Sequence, residues 1–255
     1  MTKPELAGSA VVIGASGGIG AAFVHALLGS GAFDAVVALS RSGNQPEVAD
    51  DTGRAVRLLH GRIDLLDEQS IIDAVQEPIA QAGTEGLRLV LVATGSLQGE
   101  GIAPPERSLR MLDGASMLQS YRINTVGPAL VAKHMLPLLP RSGRSVFAVL
   151  SARVGSIGDN RLGGWHAYRA SKAALNMILR NLAIELARTH PDAVCLGLHP
   201  GTVDTALSRP FQGMATRDKL FTPEFAAGRL LSVVAAAEPA QSGQVLAWDG
   251  APIPP

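Results

Sequence analysis

The chain has 255 residues, 47% of them hydrophobic, with 22 basic and 22 acidic side chains and a formal net charge of +0. That length and apolar content can bury one large core, so a single domain over residues 1–255 is expected. The charge balance, without a basic stripe or charged tail, argues against nucleic acid and leaves a small-molecule substrate or a soluble cofactor as the expected partner.

Leu6 to Phe33 contains no Asp, Glu, Lys or Arg. Glycines, serines and His25 interrupt it, so it reads as a strand, a glycine loop and a buried helix, and no membrane span is expected. No basic n-region precedes it, so no signal peptide is expected. Strands are then predicted at Ala10–Ile13, Ala35–Leu39, Val56–His60, Leu87–Val92, Ser145–Leu150, Ala193–Leu198 and Gln244–Ala247. Most are continuous apolar runs, as in strands covered on both faces. Helical patterns separate them near Ile19–Ser30, Glu68–Gln81, Ser116–Leu139, Ala167–Thr189 and Pro223–Ala237. This alternation predicts an α/β fold, a doubly wound parallel sheet of Rossmann type. The polar stretch Arg41–Ala55 is expected to be a shortened or irregular crossover. The one cysteine, Cys195, lies in an apolar run, which suits burial and a reducing, cytoplasmic setting.

The first predicted strand runs into Gly14-Ala15-Ser16-Gly17-Gly18-Ile19-Gly20 and then a helix. Glycines there permit a tight turn and close approach of backbone N–H groups to a pyrophosphate at a helix N-terminus. The second strand ends Leu39-Ser40-Arg41, with no carboxylate to accept the ribose hydroxyls of NAD. Arg41 is either the partner of a 2′-phosphate, which favours NADP over NAD, or a solvated loop charge. Asp64 is placed either to accept from an adenine amino group or to form a turn, with Asp67 competing for the cap of the next helix.

Tyr168-Arg169-Ala170-Ser171-Lys172 opens a long helix, and residues four apart share a face. A neighbouring ammonium favours phenolate, so the pKa of Tyr168 is expected to fall below its usual value of about 10. Tyr168 is then the candidate general acid for carbonyl reduction, and the base in reverse, with Lys172 also able to bond a nicotinamide ribose. Neither metal-type histidine spacing nor a G-x-S-x-G elbow occurs, so neither a metal nor a hydrolase triad is expected.

Together, Gly14-x-x-x-Gly18-x-Gly20, Asp64, Asn124 in Ile123-Asn124-Thr125-Val126-Gly127-Pro128, Tyr168-x-x-x-Lys172 and Pro200-Gly201-Thr202-Val203-Asp204-Thr205 make the whole chain resemble the short-chain dehydrogenase/reductase family. Gly155 to Trp165 and the ending Trp248-Asp249-Gly250 are similar to the branch of the C-factor proteins and sniffer-type carbonyl reductases. The resemblance implies an NADP-dependent oxidoreductase. In it, Asn124 holds a water in a proton relay from Lys172, with a satisfied core Asn as the bland alternative. Gly14, Ser16, Gly18, Ile19 and Gly20 would hold the dinucleotide, with Asp64, Leu65, Ala93, Thr94 and Gly95 on the adenosine side. Pro200, Gly201, Val203 and Thr205 would lie at the nicotinamide. Residues from Thr205 to Thr222 would form a lid, in which Phe211, Met214, Leu220 and Phe221 suit either an apolar pocket or core packing. A homodimer or homotetramer through the two long helices is implied as well.

Two departures from the family pattern stand out. Ala93-Thr94-Gly95 replaces the usual Asn-Ala-Gly, and Ser151-Ala152-Arg153-Val154-Gly155 puts Ala152 where the second serine of Ser-Ser-x-x-Gly polarises the carbonyl. Ser151 serves instead only if the strand ends early or bulges, because neighbours on a strand face opposite ways; Ser156 is another hydroxyl nearby. The expected function is hydride transfer between NADP(H) and a small carbonyl or alcohol. The alternative is a nucleotide-binding sensor or signalling protein that keeps the fold with little catalysis.

Overall fold

Strands β1 (Ser9–Ile13), β2 (Ala35–Ser40), β4 (Leu87–Val92), β5 (Ser145–Leu150) and β6 (Ala193–His199) are buried along nearly their whole length. Continuous apolar strands of this kind need helices on both faces, and the computed structural model has them. It describes residues 8–43, 56–83, 86–210 and 220–255. With β3 (Arg57–Arg62), β9 (Val245–Ala247) and β10 (Pro252–Ile253) they make an eight-stranded sheet in the order β10-β9-β6-β5-β4-β1-β2-β3. All pairs are parallel except β9 with β10. A pair too short to show in the sequence pattern, β7 (Thr202–Val203) with β8 (Leu220–Phe221), stands apart from it.

On one face α2 (residues 68–82), α3 (residues 114–138) and α4 (His166–Leu186) bury Ile71, Val131 and Leu175 against the sheet. On the other, α1 (Gly18–Ser30) and α5 (Pro223–Ala236) bury Phe23, Leu27, Leu230 and Val233. The doubly wound fold and its main elements are those the sequence predicts. The irregular crossover expected at Arg41–Ala55 lies largely outside the described residues, as do Phe211 and Met214 of the expected lid.

Two helices contain π-turns, each with a proline at or just beyond it. In α2 the π-turn Val75–Ile79 contains Pro78. In α3 the π-turn Arg122–Val126 is followed by Pro128. Proline has no N–H, so Pro128 offers nothing to the carbonyl of Asn124 four residues earlier, and the regular ladder gives way there. Three of these helices are capped by the side chain of their own N-cap residue: Asp67 accepts from Gln69 N, Asp113 from Ser116 N, and Thr222 from Phe225 N. At α1 the cap is Gly17, with no side-chain cap and no acidic residue in the first turn. The orphan N–H groups of α1 therefore open onto the carboxyl end of the sheet between β1 and β4, whose following crossovers leave to opposite faces, the switch point at which such folds take ligands.

Candidate active site

The turn after β1 is locked by contacts that only glycine permits. Gly14 has φ +86°, and both Gly14 N and Ala15 N donate to Leu39 O at 2.8 and 3.0 Å. A Cβ on Gly20 would stand 2.0 Å from Gly14 O, so α1 starts in direct backbone contact with the turn. A Cβ on Gly18 would stand 3.0 Å from Thr205 Cγ2, which brings the loop after β6 beside the turn. That loop is fixed from behind. Gly201, at φ +77°, lies where a Cβ would meet Phe221 Cε2 at 2.7 Å, and Phe221 packs edge-on to Trp248 with ring centroids 4.8 Å apart. Phe221 thus packs in an aromatic cluster.

Between these walls runs a cleft of about 1250 Å³. Of the sequence-predicted residues, Gly18, Ile19, Arg41 and Ala93 to Gly95 line one end of it. Ser151, Tyr168, Lys172, Pro200, Gly201, Val203 and Thr205 line the rest. Gly14, Gly20 and Asn124 stand behind the lining, and Ser16 is exposed at the turn. Asp64 forms a turn: its Oδ1 accepts from Leu66 N at 3.0 Å, while Leu65 is buried against Gly127.

The end of the cleft that holds Tyr168 and Lys172 is organised by α4. Gly155 lets the helix come close, since a Cβ there would lie 2.8 Å from Lys172 Cβ. Lys172 is 2% exposed; its Nζ donates to Leu150 O at 2.9 Å and lies 5.9 Å from the Tyr168 ring centroid. Asn124 is fully buried in the π-turn of α3. Its Oδ1 accepts from Ser96 N at 2.9 Å, and its Nδ2 donates to Ser96 O at 2.8 Å, with the Ser120 and Ser171 hydroxyls at 3.2 and 3.3 Å. This clamp holds the strand-end loop carrying Gly95, where a Cβ would sit 3.4 Å from Asn124 Oδ1 and 3.5 Å from Lys172 Nζ.

Two expectations are corrected here. Burial pushes the Tyr168 phenol up to about 12, not down. Burial also pushes Lys172 down to about 8, and its ammonium is aimed at a backbone carbonyl. Desolvation penalises both charged forms, and in this geometry it outweighs their mutual attraction. Second, the condition under which Ser151 would replace the family serine is not met: it is 4% exposed and donates to Asn176 Oδ1 at 2.6 Å, one turn beyond Lys172 on α4. The strand neither bulges nor ends early; Ser151 N continues the ladder onto Leu198 O. Ser156 accepts from Asp159 N at 3.0 Å, which ties it to its own turn.

Several residues of the site carry no local sequence signal. Glu106 is 4% exposed, its two carboxylate oxygens each accept from Ala167 N at 3.3 Å, and its carbonyl accepts from Trp165 N at 2.6 Å. It thereby caps the helix that carries Tyr168, whose entry needs left-handed backbone at Gly163, Gly164 and Trp165. His199 ends β6 in the cleft wall; burial holds it well down, at about 4, and its Nδ1 is buried without a partner among the described residues. Thr94 Oγ1, of the sequence-predicted Ala93–Gly95 element, is also buried and unpartnered among the described residues, in the cleft lining. No metal-ligand cluster occurs among the described residues, and no described helix is long and apolar enough to cross a membrane.

An uncapped helix start, an arginine at the end of β2, an unpartnered hydroxyl and a Tyr–Lys pair on one cleft suit a phosphorylated dinucleotide cofactor. In agreement, residues 9–215 match the short chain dehydrogenase family, and the chain belongs to it. It is similar to the 1-hydroxy-2-glutathionyl-2-methyl-3-butene dehydrogenase of Rhodococcus sp. (strain AD45), 37% identical over 54% of this chain and 58% of that protein. The match therefore spans less than two thirds of that relative. To the C-signal of Myxococcus xanthus it is 34% identical, over 56% of this chain and 81% of that protein. Among solved structures, the NADPH-bound carbonyl reductase from chicken fatty liver superposes with a TM-score of 0.77 at 27% identity, covering 96% of this chain and 98% of that one. The carbonyl reductase Sniffer of D. melanogaster does so with the same TM-score and coverage at 25% identity. The C-signal and the Sniffer carbonyl reductase bear out the branch that the sequence resembles.

Proposed function

We propose that this chain is an NADP(H)-dependent reductase of small carbonyl compounds, with Tyr168 as the proton donor and Arg41 as the partner of the 2′-phosphate. The observation that carries the reading is a single cleft lined by Gly18, Arg41, Tyr168 and Lys172. When bound, the dihydronicotinamide supplies the hydride. The chain's own residues do the rest. The turn at Gly14–Gly20 and the first N–H groups of α1 receive the pyrophosphate. Tyr168 retains its proton through the neutral range because burial raises its pKa, which suits donation to a developing alkoxide. Lys172 sits under the ring and bonds the ribose side, and Asn124 holds the floor of the cleft in place. Asp64, Leu65 and Thr94 are assigned to the adenosine side, and Pro200 to Thr205 to the nicotinamide.

The test is NADPH oxidation against a panel of aldehydes, ketones and quinones, wild type beside Tyr168→Phe. The reductase reading requires a loss of about two orders of magnitude or more in the variant. Equal slow rates in both would favour a nucleotide-binding signalling role, for which Ala152 in the place of the family serine is the one specific observation.

A homo-oligomer through α3 and α4 is part of this proposal. Leu118 is 70% exposed and Met177 61%, with Val126 and Ile184 also exposed on the same two helices. Met177 and Ile184 are seven apart, so they share a face. Light scattering that gives a monomer mass would remove this part. The buried thiol Cys195, raised to about 12, accords with a reducing, cytoplasmic setting.

A further inference from the structure

Sequence alone places no carboxylate at the end of β2, yet the fold brings one there. Arg41 Nη1 and Nη2 donate to Glu100 Oε2 and Oε1, each at 2.7 Å, in a two-pronged ion pair. Glu100 comes from the loop after β4, far away in sequence. Planar forks of this kind match carboxylate and phosphate equally well, so one guanidinium edge cannot serve both at once.

The loop is built to present Glu100. Gly99 N donates to Ile102 O at 2.8 Å and Ile102 N donates to Gly99 O at 3.0 Å, which closes a two-residue turn. Its central residues Glu100 and Gly101 have φ +54° and +85°. Turns of that shape favour Asn-Gly or Gly-Gly, because a side chain is disfavoured in the left-handed region. Ile102 is 6% exposed and anchors one side in the core. Gln119 Nε2, from α3, donates to Glu100 O at 3.1 Å and holds the tip. A glutamate at the strained position of a well-anchored turn, reaching back to the arginine of the cofactor cleft, asks for a functional reading.

We propose that Glu100 sets cofactor discrimination: its carboxylate occupies the Arg41 fork in which the 2′-phosphate of NADP must sit, so it weakens NADP binding selectively and narrows the preference over NAD. This rests on the Arg41 assignment made above. Both partners are about half exposed or more, at 62% and 49% of their side-chain surface, so the pair is open to exchange and to screening by salt. NAD carries no group that competes for the fork and leaves the pair intact. The carboxylate is therefore an internal competitor for one cofactor and a bystander for the other.

The experiment measures dissociation constants directly, by fluorescence and calorimetry at low salt, for NADPH, NADH and the fragment 2′,5′-ADP. Wild type is compared with Glu100→Gln, Glu100→Gly, Arg41→Ala and the double variant Arg41→Ala/Glu100→Gln. Glu100→Gln removes the charge and keeps the backbone; Glu100→Gly also relieves the left-handed strain, so a folding defect shared by both is not expected. Both should tighten NADPH and 2′,5′-ADP about three- to fivefold, the scale of an exposed ion pair, with NADH changed less than about 1.5-fold. In the Arg41→Ala background the gain from Glu100→Gln should vanish, because the fork being competed for is gone. If Arg41→Ala weakens NADPH but neither Glu100 variant tightens it, this inference fails and the Arg41 assignment stands. If Arg41→Ala leaves NADPH unchanged, the Arg41 assignment fails and takes the inference with it.

Discussion

The Lys172 ammonium lies 5.9 Å from the centre of the Tyr168 ring and is bonded to the carbonyl of Leu150 at 2.9 Å, so the pair meets through the face of the ring. Burial moves the two groups in opposite directions, Tyr168 up to about 12 and Lys172 down to about 8. The phenol therefore keeps its proton throughout neutral pH, and Lys172 is the group that titrates near it.

A pH dependence follows with a definite sign. The pKa of Lys172 is lower in the folded state than the usual 10.5, so between about pH 8 and 10.5 the unfolded chain binds the extra proton. Stability contributed by this group therefore rises with pH across that window and is lower below it. Against Lys172→Met, wild type should gain about 3 kcal/mol, to order of magnitude, from pH 7.5 to 10.5 in urea unfolding. Tyr168 acts with the opposite sign above pH 10, where the folded state keeps the proton. A flat difference between the two proteins across the window would contradict the burial argument.

Reductase activity should follow the same residue. With NADPH as donor, kcat/KM is expected to hold level below about pH 8 and to decline above it as the ammonium is lost. In Lys172→Met the profile should be low throughout and show no break near 8. A break that persists in the variant would assign it to another group.

Ala152 half-lines the cleft at the place where the family has a serine, and the neighbouring Ser151 hydroxyl is directed to Asn176. Ala152→Ser is expected to raise kcat by about 10- to 100-fold, since one missing oxyanion donor can cost two to three orders of magnitude. The NADPH dissociation constant should stay within about twofold. An unchanged kcat would mean that the carbonyl is already polarised by another donor.

Asn124→Ala would leave the backbone N–H and carbonyl of Ser96 without their partners inside the protein. Unsatisfied buried groups cost about 1–3 kcal/mol each, so a destabilisation of about 3 kcal/mol is expected, with Tm lower by about 6 °C or more. Calorimetry that finds Tm within a degree of wild type would show the clamp to be dispensable.

Gly20→Ala tests the turn itself. Its new Cβ would lie 2.0 Å from Gly14 O, and backbone faces backbone there, so no side chain can rotate away. A loss of about 3 kcal/mol and of measurable NADPH binding is expected. Tight binding by a stable variant would remove the turn from the cofactor site.

What could be read without the structure is local. Continuous apolar runs report burial on both faces of a strand, the glycine spacing reports a turn that enters a helix, and the Tyr168–Lys172 interval reports a shared helical face; each follows from backbone geometry over a few residues. The doubly wound fold and the two ends of the cleft therefore appear in the chain itself. Tertiary structure alone joins Glu100 to Arg41, ties Ser151 to Asn176, sets Glu106 at the start of α4 and lays Thr205 against Gly18. It also decides the direction in which Tyr168 titrates. The reason is the same in each case: contacts between distant segments and the exclusion of water depend on how the layers pack, and no short stretch of sequence encodes either.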